Sequence, residues 1–128
     1  YMYTPDTLGS WTKAQTLHAS DKGTNAYFGR NVAVSEGGTV IVGAPCNGCS
    51  KVVGSVYVFS CMGAGACTET NVLRAVDGAA LDNFGSSIAI SCDTIVVGAY
   101  DDDDQGFSSG SVYTFTRQLA GGWVQTHK

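Results

Sequence analysis

Apolar residues in this chain fall in short alternating or continuous runs, and none keeps the 3.6 spacing of a helix. In Phe84-Gly-Ser-Ser-Ile-Ala-Ile90 the β-branched residues stand two apart, and the run stops at the turn Ser91-Cys-Asp-Thr94, as a strand does. Residues 94–99, Thr-Ile-Val-Val-Gly-Ala, are continuously apolar over a strand's length, which predicts a strand buried on both faces. Val112-Tyr-Thr-Phe115 puts Tyr113 and Phe115 on one face and Val112 and Thr114 on the other, because side chains alternate along a strand. Residues 11–17 read as a fourth, more polar strand, suited to an outer edge. Almost no helix is expected.

The same pattern occurs twice. Leu17-His-Ala-Ser-Asp21 aligns with Leu73-Arg-Ala-Val-Asp77 at an offset of 56, and Phe28-Gly29 falls on Phe84-Gly85. Val40-Ile-Val-Gly-Ala44 matches Ile95-Val-Val-Gly-Ala99 at 55, one residue being lost in the preceding turn, and Gly54-Ser-Val-Tyr-Val-Phe59 matches Gly110-Ser-Val-Tyr-Thr-Phe115 back at 56. Trp11 and Trp123 are two periods apart, with Cys67 at the intermediate position. A recurring unit of about four strands predicts a propeller blade. Glycines 43, 54, 98 and 110 stand at strand ends, where positive φ or close backbone approach is required.

Phe28-Gly29 with Gly43-Ala44-Pro45, and Phe84-Gly85 with Gly98-Ala99-Tyr100, resemble FG-GAP repeats, the blades of the integrin α-subunit propeller. The resemblance is closest to the shorter variety found in secreted and surface proteins. It implies that the Phe-Gly strand lies nearest the axis, the Gly-Ala strand next, and the Trp strand outermost. The predicted fold is all-β: two four-stranded antiparallel blades, divided as an N-terminal arm 1–10, a first repeat 11–66, a second 67–122, and the start of the next outer strand at 123–128. Propellers have typically 4–8 blades, so two would leave open faces and edges. Completion by other copies or by further blades is expected, the chain being a processed product or a piece of something longer.

Composition narrows the partners. The 128 residues include 17 glycines and 2 prolines, are 44% hydrophobic and only 14% charged, and carry a net charge of −4. That balance repels a nucleic-acid backbone, and no apolar run reaches the ~18 residues of a membrane-spanning helix. Five cysteines stand at 46, 49, 61, 67 and 92. Cys46/Cys49 and Cys61/Cys67 flank short loops that bring two sulfurs within bonding reach. A zinc knuckle needs four ligands, and only His18 and His127 supplement the cysteines. A redox Cys-x-x-Cys usually opens a helix in an α/β fold. Structural disulfides are the favoured reading, implying an oxidising, extracellular or cell-surface setting; Cys92 is then free or bonded to another chain.

Candidate chemistry is sparse. Asp101-Asp-Asp-Asp104 holds four of the eleven acids, and Asp101, Asp103 and Gln105 followed by Gly106 half match a calcium loop. Val112 stands where that loop needs its bidentate Glu. A solvated acidic loop is the favoured reading of the run. Asp21 and Asp77, and Asn25 and Asp82, recur before the Phe-Gly strands, where a carboxylate or amide satisfies turn N–H groups. Trp11 and Trp123 can stack on a sugar or pack between blades. No nucleophilic motif is present, so the leading expectation is a non-enzymatic extracellular module for adhesion or surface structure. The alternatives are an oligomeric lectin, with glycans or surface proteins as partners and Tyr57 or Tyr113 beside the tryptophans, and a filament subunit linked by strand exchange or Cys92.

Overall fold

The computed structural model describes residues 1–21, 27–46, 53–62 and 66–128. Ten strands follow one another: β1 (Met2–Pro5), β2 (Trp11–Gln15), β3 (Asn31–Val34), β4 (Thr39–Ala44), β5 (Ser55–Met62), β6 (Ala66–Leu73), β7 (Ser87–Ser91), β8 (Thr94–Ala99), β9 (Ser111–Arg117) and β10 (Trp123–His127). They form three antiparallel sheets, β1-β2, β3-β4-β5-β6 and β7-β8-β9-β10, and no helix occurs among the described residues. Within each four-stranded sheet neighbours in sequence are neighbours in space, which keeps the connections short. The all-β fold of two four-stranded blades is the one predicted.

The sheets straddle the sequence repeats. β6 opens the second repeat yet closes the first sheet against β5, and β10 closes the second sheet against β9. The N-terminal segment, expected to be an arm, contains β1, which pairs with β2. Register shows what β1 is. Tyr3 faces Lys13, Phe59 faces Glu69 and Phe115 faces Gln125, each at the 56-residue offset, and all three pairs carry the same bulge one residue before the aromatic on the inner strand. β1 and β2 are therefore the outer half of a third blade. Its sequence signal, Tyr1-Met2-Tyr3 beside Tyr57-Val58-Phe59, was too short to register alone.

Two apolar clusters fill the spaces between these layers. Ile41, Val56, Val58 and Leu73 of the first sheet pack on Phe84, Ile95, Val97, Tyr113 and Phe115 of the second. On the opposite face of the first sheet, Val42, Tyr57, Phe59 and Cys67 pack with Phe28, Met2 and Leu17. Phe84 stands edge-on to Tyr113 and Phe115, with ring centroids 5.4 and 6.0 Å away, and Phe28 repeats this against Tyr57 and Phe59 at 5.3 and 6.2 Å. Edge-to-face geometry sets the positive ring edge on a negative face.

Backbone packs as closely as side chains. A Cβ on Gly54 would collide with the Phe84 carbonyl oxygen, and one on Gly43 with that of Gly85. These two glycines let the Phe-Gly turn of one blade lie on the sheet of its neighbour. One expectation changes. β4 is buried on both faces as predicted for its repeat, but β8 is buried on one only: Val96 is 37% exposed, whereas Ile41, its repeat equivalent, is fully buried. The difference is not in the strands; the second sheet covers Ile41, and nothing in the described chain covers Val96.

Phe84 is fully buried between two sheets and Phe28 only partly buried, so their truncations should differ. Phe84→Ala is expected to cost about 3–5 kcal/mol and Phe28→Ala distinctly less, in urea unfolding followed by intrinsic fluorescence.

Candidate functional site: the open blade face and the acidic loop

The outer face of the second sheet carries Ala89, Val96, Val112 and Val124, all exposed. Val112 is 58% exposed, while its equivalent Val56 is fully buried. Alternation forces this: Ile95, Val97, Tyr113 and Phe115 point into the inter-sheet core, so their neighbours along β8 and β9 point away from it. The resulting apolar surface is the counterpart of one that the same chain covers with a blade.

The acidic loop follows β8. Asp102 is buried, and its carboxylate accepts the Tyr113 hydroxyl at 2.8 Å and the Lys128 ammonium at 3.0 Å. Lys128 also donates to Asp77 at 2.8 Å and to Asp104. Burial pushes the Asp102 carboxyl up, but the hydrogen bonds from Tyr113, Lys128, Ser111 and the Asp104 N–H outweigh it and bring the pKa to about 2. For Lys128, burial disfavours the charge, and bonds to Asp104, Asp77, Tyr113 and Asp102 more than reverse this, holding it above the ordinary lysine range. The mutual repulsion of the carboxylates is thus met by an ammonium on the chain itself.

Asp101 accepts the Asn83 amide at 2.8 Å, while Asp103 and Gln105 are exposed. Asp101 and Asp103 line a cleft of about 390 Å³ with Asp82 and Asn83; Gln105 does not reach it. Asn83 Oδ1 is buried without a hydrogen-bond partner. Calcium takes ~6–8 oxygen ligands, and among the described residues no group of three or more acids, histidines or cysteines is placed to hold a metal. Of the three residues of the calcium-loop pattern, Asp101 and Asp103 share this cleft and Gln105 does not.

The remaining candidates scatter. Cys61 and Cys67 are disulfide-bonded across the β5–β6 pair. Cys46 is disulfide-bonded, whereas Cys49 and Asn25 lie outside the described residues. Cys92 is a free, exposed thiol beside Asp93 and Arg117 in an inter-sheet cleft of about 590 Å³. Trp11 is 68% exposed, but the Arg117 guanidinium lies 4.9 Å from the centre of the half-buried Trp123 ring. Tyr57 and Tyr113 are buried and offer no face to a sugar, which corrects the lectin reading of both. Asp21 accepts Tyr57 at 2.6 Å and Arg74 at 2.9 Å, and the turn that follows it lies outside the described residues; Asp82 takes the turn role by accepting the Ala79 N–H at 2.6 Å. His18 and His127 are exposed. Spacing does not reveal the Lys128 hub, because its partners come from two separate loops and from β9.

A model of the FG-GAP repeat matches residues 11–59 and 67–115. The chain belongs to the FG-GAP repeat family. Each FG-GAP match runs from the outer strand of one sheet into the third strand of the next, the same straddle that the strand pairing shows. No curated protein matches the chain.

Because the Asp102 carboxyl lies below its unfolded value, its contribution to stability is full above about pH 4 and is lost as pH falls through about 2. Acid titration of the unfolding free energy should show that decline, and Asp102→Asn should flatten it while lowering stability at pH 7 by roughly 2 kcal/mol. Calcium and chelator should leave the melting temperature unchanged; a rise with calcium that Asp103→Asn removes would restore the metal reading.

Proposed function

We propose that this FG-GAP chain is a non-enzymatic β-propeller-type module of the extracellular space, acting in adhesion or as a structural surface element through association with further blades. The observation that carries this reading is the pair Val96 and Val112, exposed on the second blade at positions that are fully buried on the first. Contiguous exposed apolar surface on a soluble domain marks an interaction site. The chain itself exhibits a fitting occupant, a blade presenting Phe84 and Gly85 to glycines at the sheet margin. The second blade repeats that margin with Gly98 and Gly110.

The Cys61–Cys67 disulfide supports an oxidising compartment, and FG-GAP repeats are characteristic of extracellular proteins. Low charge suits a packing surface better than a site of ionic chemistry. A blade face meeting another blade is a heterologous contact, which closes into a ring or continues as a fibre according to the rotation between units.

Sedimentation equilibrium tests the reading. Concentration-dependent association is expected, and Val112→Asp should weaken it at least tenfold without lowering the melting temperature, since the side chain is already exposed. A monomer at all concentrations, or association indifferent to Val112→Asp, would contradict it.

A further inference from the structure

The opposite end of the stack is also incomplete, in a different way. Phe28, Val40, Val42, Ala44, Tyr57, Phe59 and Cys67 stand at the positions of Phe84, Ile95, Val97, Ala99, Tyr113, Phe115 and Trp123. Met2, Leu17 and Ala19 supply what Val58, Leu73 and Ala75 supply at the other interface. The contributions made there by Ala33, Ile41 and Val56 have no counterpart among the described residues. Ala33 and Ile41 belong to the inner two strands of a blade, and the half-blade β1-β2 has only the outer two.

Four observations mark the space those strands would fill. Val32 and Val34 are 67% and 68% exposed, although their equivalents Ile88 and Ile90 pack against the inter-sheet core. A cleft of about 360 Å³ opens between Met2, Leu17, Phe28, Val32, Val40 and Val42. Gly29 has φ +93°, matching +92° at Gly85, yet no atom of the described residues lies within 4 Å of where its Cβ would stand, whereas Gly85 has Ser55 O at 2.9 Å and Ala44 N at 3.5 Å. Along β1, the edge that β5 and β9 use to pair with β4 and β8 has no strand beside it among the described residues.

We propose that this edge and cleft form a strand-acceptor site for the inner β-hairpin of a further FG-GAP repeat, a Phe-Gly strand turning into a Val-Val-Gly-Ala strand. The hairpin completes the third blade by β-augmentation, in which backbone hydrogen bonds bind and alternate side chains select. Its register follows from the two complete sheets. Phe115 faces Ile95 and Tyr113 faces Val97 in the second sheet, so Tyr3 would face the Ile95 position and Tyr1 the Val97 position. Val96 of the hairpin would then point into the cleft and cover Val32, as Ile41 covers the second sheet. The inference rests on the propeller-type reading only in taking another repeat as the partner, and it uses the face opposite Val112.

A synthetic peptide of residues 84–99 with Cys92→Ser serves as the probe. Added to the isotope-labelled full chain, it is expected to shift the amide signals of β1 and β3 and to protect alternate β1 amides from exchange. Val32→Asp should weaken binding at least tenfold, with Val112→Asp leaving it unchanged. No shift up to millimolar peptide, equal binding of a scrambled peptide, or equal binding to Val32→Asp would overturn the proposal. If the chain still associates through Val112 while the peptide fails to bind, the acceptor site alone is refuted.

Discussion

The structure depends on one contact, the Phe-Gly turn of one blade lying against the sheet of its neighbour. Gly43 and Gly54 keep that sheet bare enough for the Phe84 and Gly85 carbonyls to approach, and Phe84 fills the space behind them. Two four-stranded sheets, each too thin to bury both faces, thereby share one core. The same contact explains the asymmetry of the molecule. Where a second Phe-Gly turn is present, Ile41 and Val56 vanish from solvent; where it is absent, Val96 and Val112 remain exposed.

What holds the outer strands is less uniform. The cross-strand pair at the edge of each blade is Pro5 with Trp11, Cys61 with Cys67, and Arg117 with Trp123. A disulfide fixes the second, and a guanidinium over an indole the third. Equivalent positions thus tolerate very different chemistry because only the register has to be kept. Between blades the reverse holds, and the hydrogen bond from the Ser20 N–H to Glu69 recurs as that from the Val76 N–H to Gln125. The tyrosine hydroxyls diverge within a common plan, Tyr57 finding Asp21 while Tyr113 finds Asp102.

Much of this was legible in the residues. Val-Val-Gly-Ala, Gly-Ser-Val-Tyr and the Phe-Gly pairs located the strands because repetition turns weak local signals into a strong one. The outer Trp11 and Trp123 strands fell where their polar pattern put them. The half-blade was harder to see, since only Tyr1-Met2-Tyr3 announces it and a strand edge is defined by its partner. The acidic run reads as a solvated loop first and a calcium site second, because nothing in Asp101-Asp-Asp-Asp104 foretells that Lys128 and Tyr113 converge on Asp102. Such convergence is a property of the folded chain, not of spacing. Burial of β8 was overestimated for the same reason: an apolar run shows what a strand is able to bury and not what covers it.

Native-state amide hydrogen exchange tests the shared core most directly. If the two sheets are fused through Phe84 and its glycine platform, the central strands β4, β5, β8 and β9 should open together with one free energy, and β1 and β2 should exchange by separate, easier openings. Independent opening of the first and second sheets, with different free energies, would contradict the account.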